Sequence, residues 1–187
     1  MPKEIPLLKQ NTSGKQDLTK QFALILFLSF FNLIYFSQEK KNFTRNFCIH
    51  KLLYNILRTS FEFVRCFLNY LTIIGNWLSE NNPILDEKIS YIRDSKSFYD
   101  KIFEKETKLC EIEIHEKGTI FDRDDSYGIY FANKKVGGGI LKGECEQEES
   151  LFAVEPKAII SIYFMEVMTE NDVIRIDNTI KYSNYSG

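Results

Sequence analysis

The run FALILFLSFFNLIYF at residues 22–36 constrains the fold more than any other part of the chain. Nearly every side chain in it is apolar, so it has to be sheltered on almost all sides. Lys20 bounds it on one side and Glu39, Lys40 and Lys41 on the other. A membrane-spanning helix needs roughly 20 apolar residues, whereas this run is shorter and is broken by Ser29 and Asn32. It also follows a polar, charged lead, unlike a cleavable signal peptide. The reading that fits is a helix buried in a helical layer, with a membrane anchor over 22–36 as the alternative.

The rest of the first half supports such a layer. After the turn-like Asn11-Thr12-Ser13-Gly14, the stretch 16–36 lacks Gly and Pro and predicts one long helix, with Asp17 in its first turn where a carboxylate suits the dipole. Ile49, Leu52, Leu53, Ile56 and Leu57 recur at helical spacing. So do Phe61, Val64, Phe67, Leu68, Leu71 and Ile74, behind a Thr59-Ser60 cap. Gly75 and then Asn81-Asn82-Pro83 mark the end of this region. Residues 1–83 are therefore read as a helical N-terminal part and 84–187 as an α/β part.

Beyond Pro83 the period changes. Residues 88–93 and 110–115 alternate apolar with polar, as strands with one wet face do, and 127–132 and 172–176 read as two more strands. A helix at 158–168 between the last two implies a parallel pair with a helical crossover. Residues 95–103 form a short helix or a loop. With 187 residues, 44% hydrophobic and 27% charged, the chain has the size and balance of one globular domain. Its 24 basic and 26 acidic side chains give a net charge of -2, so no global field draws in DNA or RNA, and any phosphate contact must be local. Cys48, Cys66, Cys110 and Cys145 stand far apart, with only His50 and His115 to join them, so free thiols are expected and no metal or cofactor.

The chemistry concentrates after the 127–132 strand. Gly137-Gly138-Gly139 follow Asn133-Lys134-Lys135-Val136, and Gln147-Glu148-Glu149 come after a seven-residue gap. Consecutive glycines can adopt positive φ and turn their N–H groups onto an anion such as a diphosphate, or they can be a flexible linker. The gap then delivers an amide and two carboxylates near where a sugar attached to that diphosphate would lie. Lys134 and Lys135 fit a solvated loop better than a phosphate clamp.

The string Tyr130-Phe131-Ala132-Asn133, Val136-Gly137-Gly138-Gly139, seven residues, then Gln147-Glu148-Glu149 resembles the signature of the poly(ADP-ribose) glycohydrolases. At ordinary glycine, glutamine and glutamate frequencies, a chance match is on the order of 10⁻⁵. Ile5-Pro6-Leu7-Leu8, Glu116-Lys117-Gly118-Thr119-Ile120 and the terminal Tyr182-Ser183-Asn184-Tyr185-Ser186-Gly187 are similar to further parts of the family. The resemblance implies a macrodomain-like α/β core, a mixed sheet flanked by helices with an all-helical layer before it. It also implies hydrolysis of the ribose-ribose bonds of poly(ADP-ribose), with no cofactor.

By the same resemblance Glu149 is the general acid and base and Glu148 holds sugar hydroxyls. On an extended loop these neighbours would point apart, too far from one anomeric carbon for a two-carboxylate retaining site. Gly137, Gly138 and Gly139 would hold the diphosphate, Asn133 and Gln147 would touch the ligand, and Ile120 would lie beside the adenine. The family pattern has an aspartate where Tyr130 stands and an acidic residue at Phe121, and its core continues beyond Gly187, so its C-terminal part is expected to be missing here.

The partners implied are poly(ADP-ribose) or ADP-ribosylated proteins, without direct DNA binding, in a nuclear or cytoplasmic setting such as the DNA damage response. An inactive relative that binds ADP-ribose or a protein partner, and a membrane-associated protein, are the alternatives.

Overall fold

The computed structural model describes residues 5–31, 61–95, 111–122, 126–140, 144 and 146–184. These form a mixed α/β structure in which three antiparallel strands, ordered β1-β2-β3, meet helices on a shared core. Strand β1 is Gly14–Thr19, β2 is Lys88–Ser95 and β3 is Asp172–Asp177. β1 runs against β2 from Gly14 opposite Arg93 to Thr19 opposite Lys88, and β2 runs against β3 from Ser90 opposite Asp177 to Ser95 opposite Asp172.

The helical N-terminal region therefore opens on a strand, which corrects the long helix expected from Gln16. Residues 16–19 pair with β2 instead, and helix α1, Lys20–Phe31, begins where Thr19 Oγ1 accepts the Phe22 N–H at 3.1 Å. Asp17 is not in a helical turn. It lies within β1 and accepts from the Ser90 hydroxyl at 2.6 Å, which holds its carboxyl below the usual carboxylate range.

Helix α1 buries Ala23, Leu24, Leu26 and Phe27 in the protein core, while Ile25 reaches solvent. Among the described residues, no helix is long and apolar enough to cross a membrane. Helix α2, Phe61–Ser79, faces the core with Phe63, Phe67, Tyr70 and Ile74, a 3.6-residue stripe one step round from the expected one. Phe61 and Leu68 are 70% and 58% exposed. Gly75 lies inside α2. Beyond Ser79 the chain turns at Asn81, whose φ is 51°, with Asn82 N–H returning to Trp77 O at 2.9 Å in a Schellman closure. The helix expected around 49–57, the Thr59-Ser60 cap and the segment 96–110 lie outside the described residues.

Rings fill the interface between these layers: Phe27 meets Tyr70 at 4.8 Å, Tyr70 meets Tyr182 at 4.7 Å and Tyr91 meets Phe164 at 5.1 Å, each edge to face. Arg93 is fully buried on β2. Its guanidinium donates to the carbonyls of Leu8, Glu166 and Val167 at 2.8–3.0 Å and to Asp172 Oδ2 at 2.8 Å.

That staple helps explain why the helix expected at 158–168 stops early. A 3₁₀ helix runs Pro156–Tyr163, and the chain then leaves it so that Leu8 N–H can bond Phe164 O and Glu166 N–H can bond Leu8 O. The expected strands at 110–115 and 127–132 are corrected over their described residues. Residues 111–115 and 127–132 belong to no ladder, and with them the parallel pair disappears. In the second segment the Phe131 N–H is directed elsewhere, to a side chain of a helix described next.

Candidate active site

The glycines and the glutamates come together. Helix α3, Gln147–Val154, begins after Glu146, which has extended backbone and no side-chain cap. Glu148 and Glu149 occupy its first turn, about 100° apart round the axis rather than on opposite sides of an extended loop. They are 5% and 3% exposed. Two such carboxylates side by side are costly unless donors meet them.

The donors are backbone N–H groups of the 133–139 loop. Glu148 accepts at both oxygens, from Asn133 N–H at 2.9 Å and from Gly137 N–H at 2.7 Å. Glu149 Oε1 accepts from Gly139 N–H at 2.5 Å, and its buried Oε2 has no hydrogen-bond partner. Just upstream, Phe131 N–H donates to the Gln147 side chain at 2.8 Å. These bonds remove alternate donors from 127–133, so the apolar-polar alternation there does not become a paired strand.

Glycine is required by space and by backbone. Gly137 has φ +90° and Gly138 φ +43°, the left-handed region. A Cβ at 137 would strike Ile162, and one at 138 would land on the carboxylates of Glu149 and Glu148. The loop is closed by Gly138 N–H to Lys135 O and by Ile140 N–H to Gly137 O, both at 3.0 Å. All three glycine N–H groups thus bond within the protein, two of them to the glutamates.

Asn133 reaches the site through its backbone, while its side chain accepts from Lys135 N–H at 3.0 Å and is exposed. Lys134 and Lys135 are exposed, as a solvated loop requires. Ile120 is exposed on the 3₁₀ turn Ile120–Asp122. That turn is tied by Asp122 accepting from Thr119 N–H at 2.6 Å, and its Phe121 is buried with its ring 6.0 Å from Tyr130. Tyr130 therefore joins the Ile120 turn to the segment entering the glycine loop. Burial, with the charge of Glu155, pushes its phenol up to about 12.

Several residues at the site were not singled out from the sequence. Ile162 packs under Gly137, and Lys181 caps the Phe121 carbonyl at 2.8 Å. Lys157, one turn beyond α3, is buried over the Tyr182 ring at 5.4 Å with no hydrogen bond to its amine. Burial, and then the charge of Lys20, pull that amine down to about 7. Its place among apolar residues in Pro156-Lys157-Ala158-Ile159-Ile160 was the available signal. Among the described residues no cluster of metal-ligand type occurs.

Residues 99–187 match the family described as poly(ADP-ribose) glycohydrolase, macro domain fold. The chain is similar to poly(ADP-ribose) glycohydrolase 1 of Arabidopsis thaliana, 30% identical over 125 residues that cover 66% of this chain and 22% of that protein. A probable poly(ADP-ribose) glycohydrolase 2 of the same plant is 28% identical over 130 residues, covering 66% and 25%. Poly(ADP-ribose) glycohydrolase 2 of Caenorhabditis elegans is 33% identical over 84 residues, covering 44% and 17%. The chain thus spans a quarter or less of the length of these relatives.

Proposed function

We propose, from the premise that residues 99–187 belong to the poly(ADP-ribose) glycohydrolase family, that this chain carries the catalytic carboxylate of a glycosidase acting on poly(ADP-ribose). The bond cut is the ribose-ribose O-glycosidic bond, and ADP-ribose is released. A nuclear or cytoplasmic setting follows from that substrate alone.

The observation that carries this reading is the asymmetry of Glu149. One oxygen is pinned by Gly139 N–H and the other is buried without a partner. A carboxyl held by one oxygen can exchange a proton at the other without losing its orientation. Glu149 protonates the departing 2′-oxygen and then takes a proton from the water that attacks the anomeric carbon. The neighbouring Glu148, bonded as a carboxylate at both oxygens, lends negative charge to an oxocarbenium-like transition state. One residue performs both proton transfers, since adjacent positions on one turn do not flank a sugar ring.

Replacing Glu149 with Gln is expected to lower turnover by about 10²- to 10⁴-fold while ADP-ribose binding persists. Unchanged turnover would remove Glu149 from the role.

A second reading, an ADP-ribose-binding relative without turnover, is favoured by Tyr130, which packs toward Phe121 where the family pattern has an aspartate. On that reading Tyr130→Asp confers polymer hydrolysis on an inactive chain; no gain in release of ADP-ribose would count against Tyr130 as the cause.

A further inference from the structure

Helix α3 is eight residues long and has no side-chain cap at Glu146, so contacts with the rest of the protein must hold it in place. At its far end the Tyr182 N–H donates at 2.8 Å to the carbonyl of Val154, the last residue of the helix. Val154 is close to the chemistry, about 7.5 Å along the helix axis from Glu149. We propose that Asn69 on α2 is a positioning residue that fixes Tyr182 and, through it, the helix carrying Glu149. Its importance for catalysis rests on the reading of Glu149 given above.

Tyr182 is bonded at both of its backbone groups. Its N–H goes to α3 and its carbonyl accepts from Asn69 Nδ2 at 2.5 Å, so one residue spans from α2 to α3. A carbonyl only accepts, which requires the Asn69 amide to turn its nitrogen toward it. The same nitrogen reaches Ser183 Oγ at 3.2 Å, a longer contact. The Tyr182 ring also packs on α2, 4.7 Å from Tyr70 and 5.7 Å from Trp77. Ring pairs tolerate centroid separations of about 4.5–7 Å, whereas the Asn69 bond holds one carbonyl at one distance and direction.

Asn69 lies outside residues 99–187, the part that matches the family, so the proposal gives the helical region a part in the site besides its share of the core. Asn69 itself is exposed on α2, beside the buried Tyr70. An aspartate there keeps the size and shape of the side chain, leaves the core untouched and loses the donor.

Amide hydrogen exchange and kinetics on the 187-residue chain test this in Asn69→Asp. Protection at the Tyr182 amide, and at the Glu155 amide that closes α3 onto Leu151 O, is expected to fall by roughly fivefold or more while β2 amides stay unchanged. In the same variant kcat is expected to fall by about 3- to 10-fold with KM within about twofold of wild type. Ser183→Ala, which removes only the longer contact, is expected to stay within about twofold of wild type in both measurements. Unchanged Tyr182 protection, an unchanged kcat, or an equal loss in Ser183→Ala would overturn the proposal. A loss of protection spread equally over β2 would overturn it as well, by making Asn69 a general structural residue. An inactive wild type whose exchange responds as stated would leave the link from α2 to α3 standing and overturn the glycohydrolase reading instead.

Discussion

At Gly137 the backbone and the packing make the same demand. A φ of +90° and the nearness of Ile162 both exclude a side chain, while its N–H is needed by Glu148. Gly137→Ala is expected to cost about 1–3 kcal/mol of stability, read from the urea midpoint. An unchanged midpoint would mean that the loop is not held as described.

Lys157 offers a second test at this scale. Its folded amine titrates near 7 and its ordinary value is 10.5, so over that interval the unfolded chain binds the proton and the folded one does not. Stability therefore rises with pH from about 7 toward 10, by at most about 1.4 kcal/mol per unit. The groups facing the amine are Lys20 and the Tyr182 ring, and neither accepts its proton. Urea midpoints at pH 7 and 9 should separate in the wild type and converge in Lys157→Met; equal slopes would contradict the burial of a free amine.

Between elements, the Arg93 guanidinium does what no single helix or strand can do. It ties β2 to Leu8, to the 165–168 segment and to Asp172 at the start of β3. Burial by itself would raise the Asp172 carboxyl, but the bonds from Arg93 and Thr169 outweigh it and hold the group well below its usual range. A depressed folded pKa contributes stability that is present above the ordinary carboxylate value near 4 and is lost as pH falls below it. Arg93→Met is expected to cost about 3–5 kcal/mol at neutral pH, because Asp172 is left buried and unpaired. Thermal unfolding would show it, and a loss under about 1 kcal/mol would mean that the pair lies in water.

The elements also show where sequence pattern stops informing. β2 and β3 alternate and were readable, and α2 was readable as a helix although Tyr70, not Leu68, faces the core. β1 was hidden because its residues run without a break into the apolar helix, and only the ladder with β2 separates them. Residues 127–132 alternate like a strand, but Gln147 and Glu148 take the donors of Phe131 and Asn133. Alternation reports which face is apolar, not where a backbone bond goes.

For the whole molecule, one loop and one helix end carry the functional argument, and the sheet with its aromatic core holds them. The pairing of three glycines with Gln147-Glu148-Glu149 was visible in the sequence. The direction of the glycine N–H groups was not, because it depends on α3 starting at Gln147 and turning both carboxylates back onto the loop. Phe131, 91% exposed beside that loop, likewise could not be told from a core strand residue. The most direct test of the account is release of free ADP-ribose from labelled poly(ADP-ribose) by the 187-residue chain, with Glu149→Gln alongside. The account predicts release by the wild type that the variant loses. Equal release by both would contradict it.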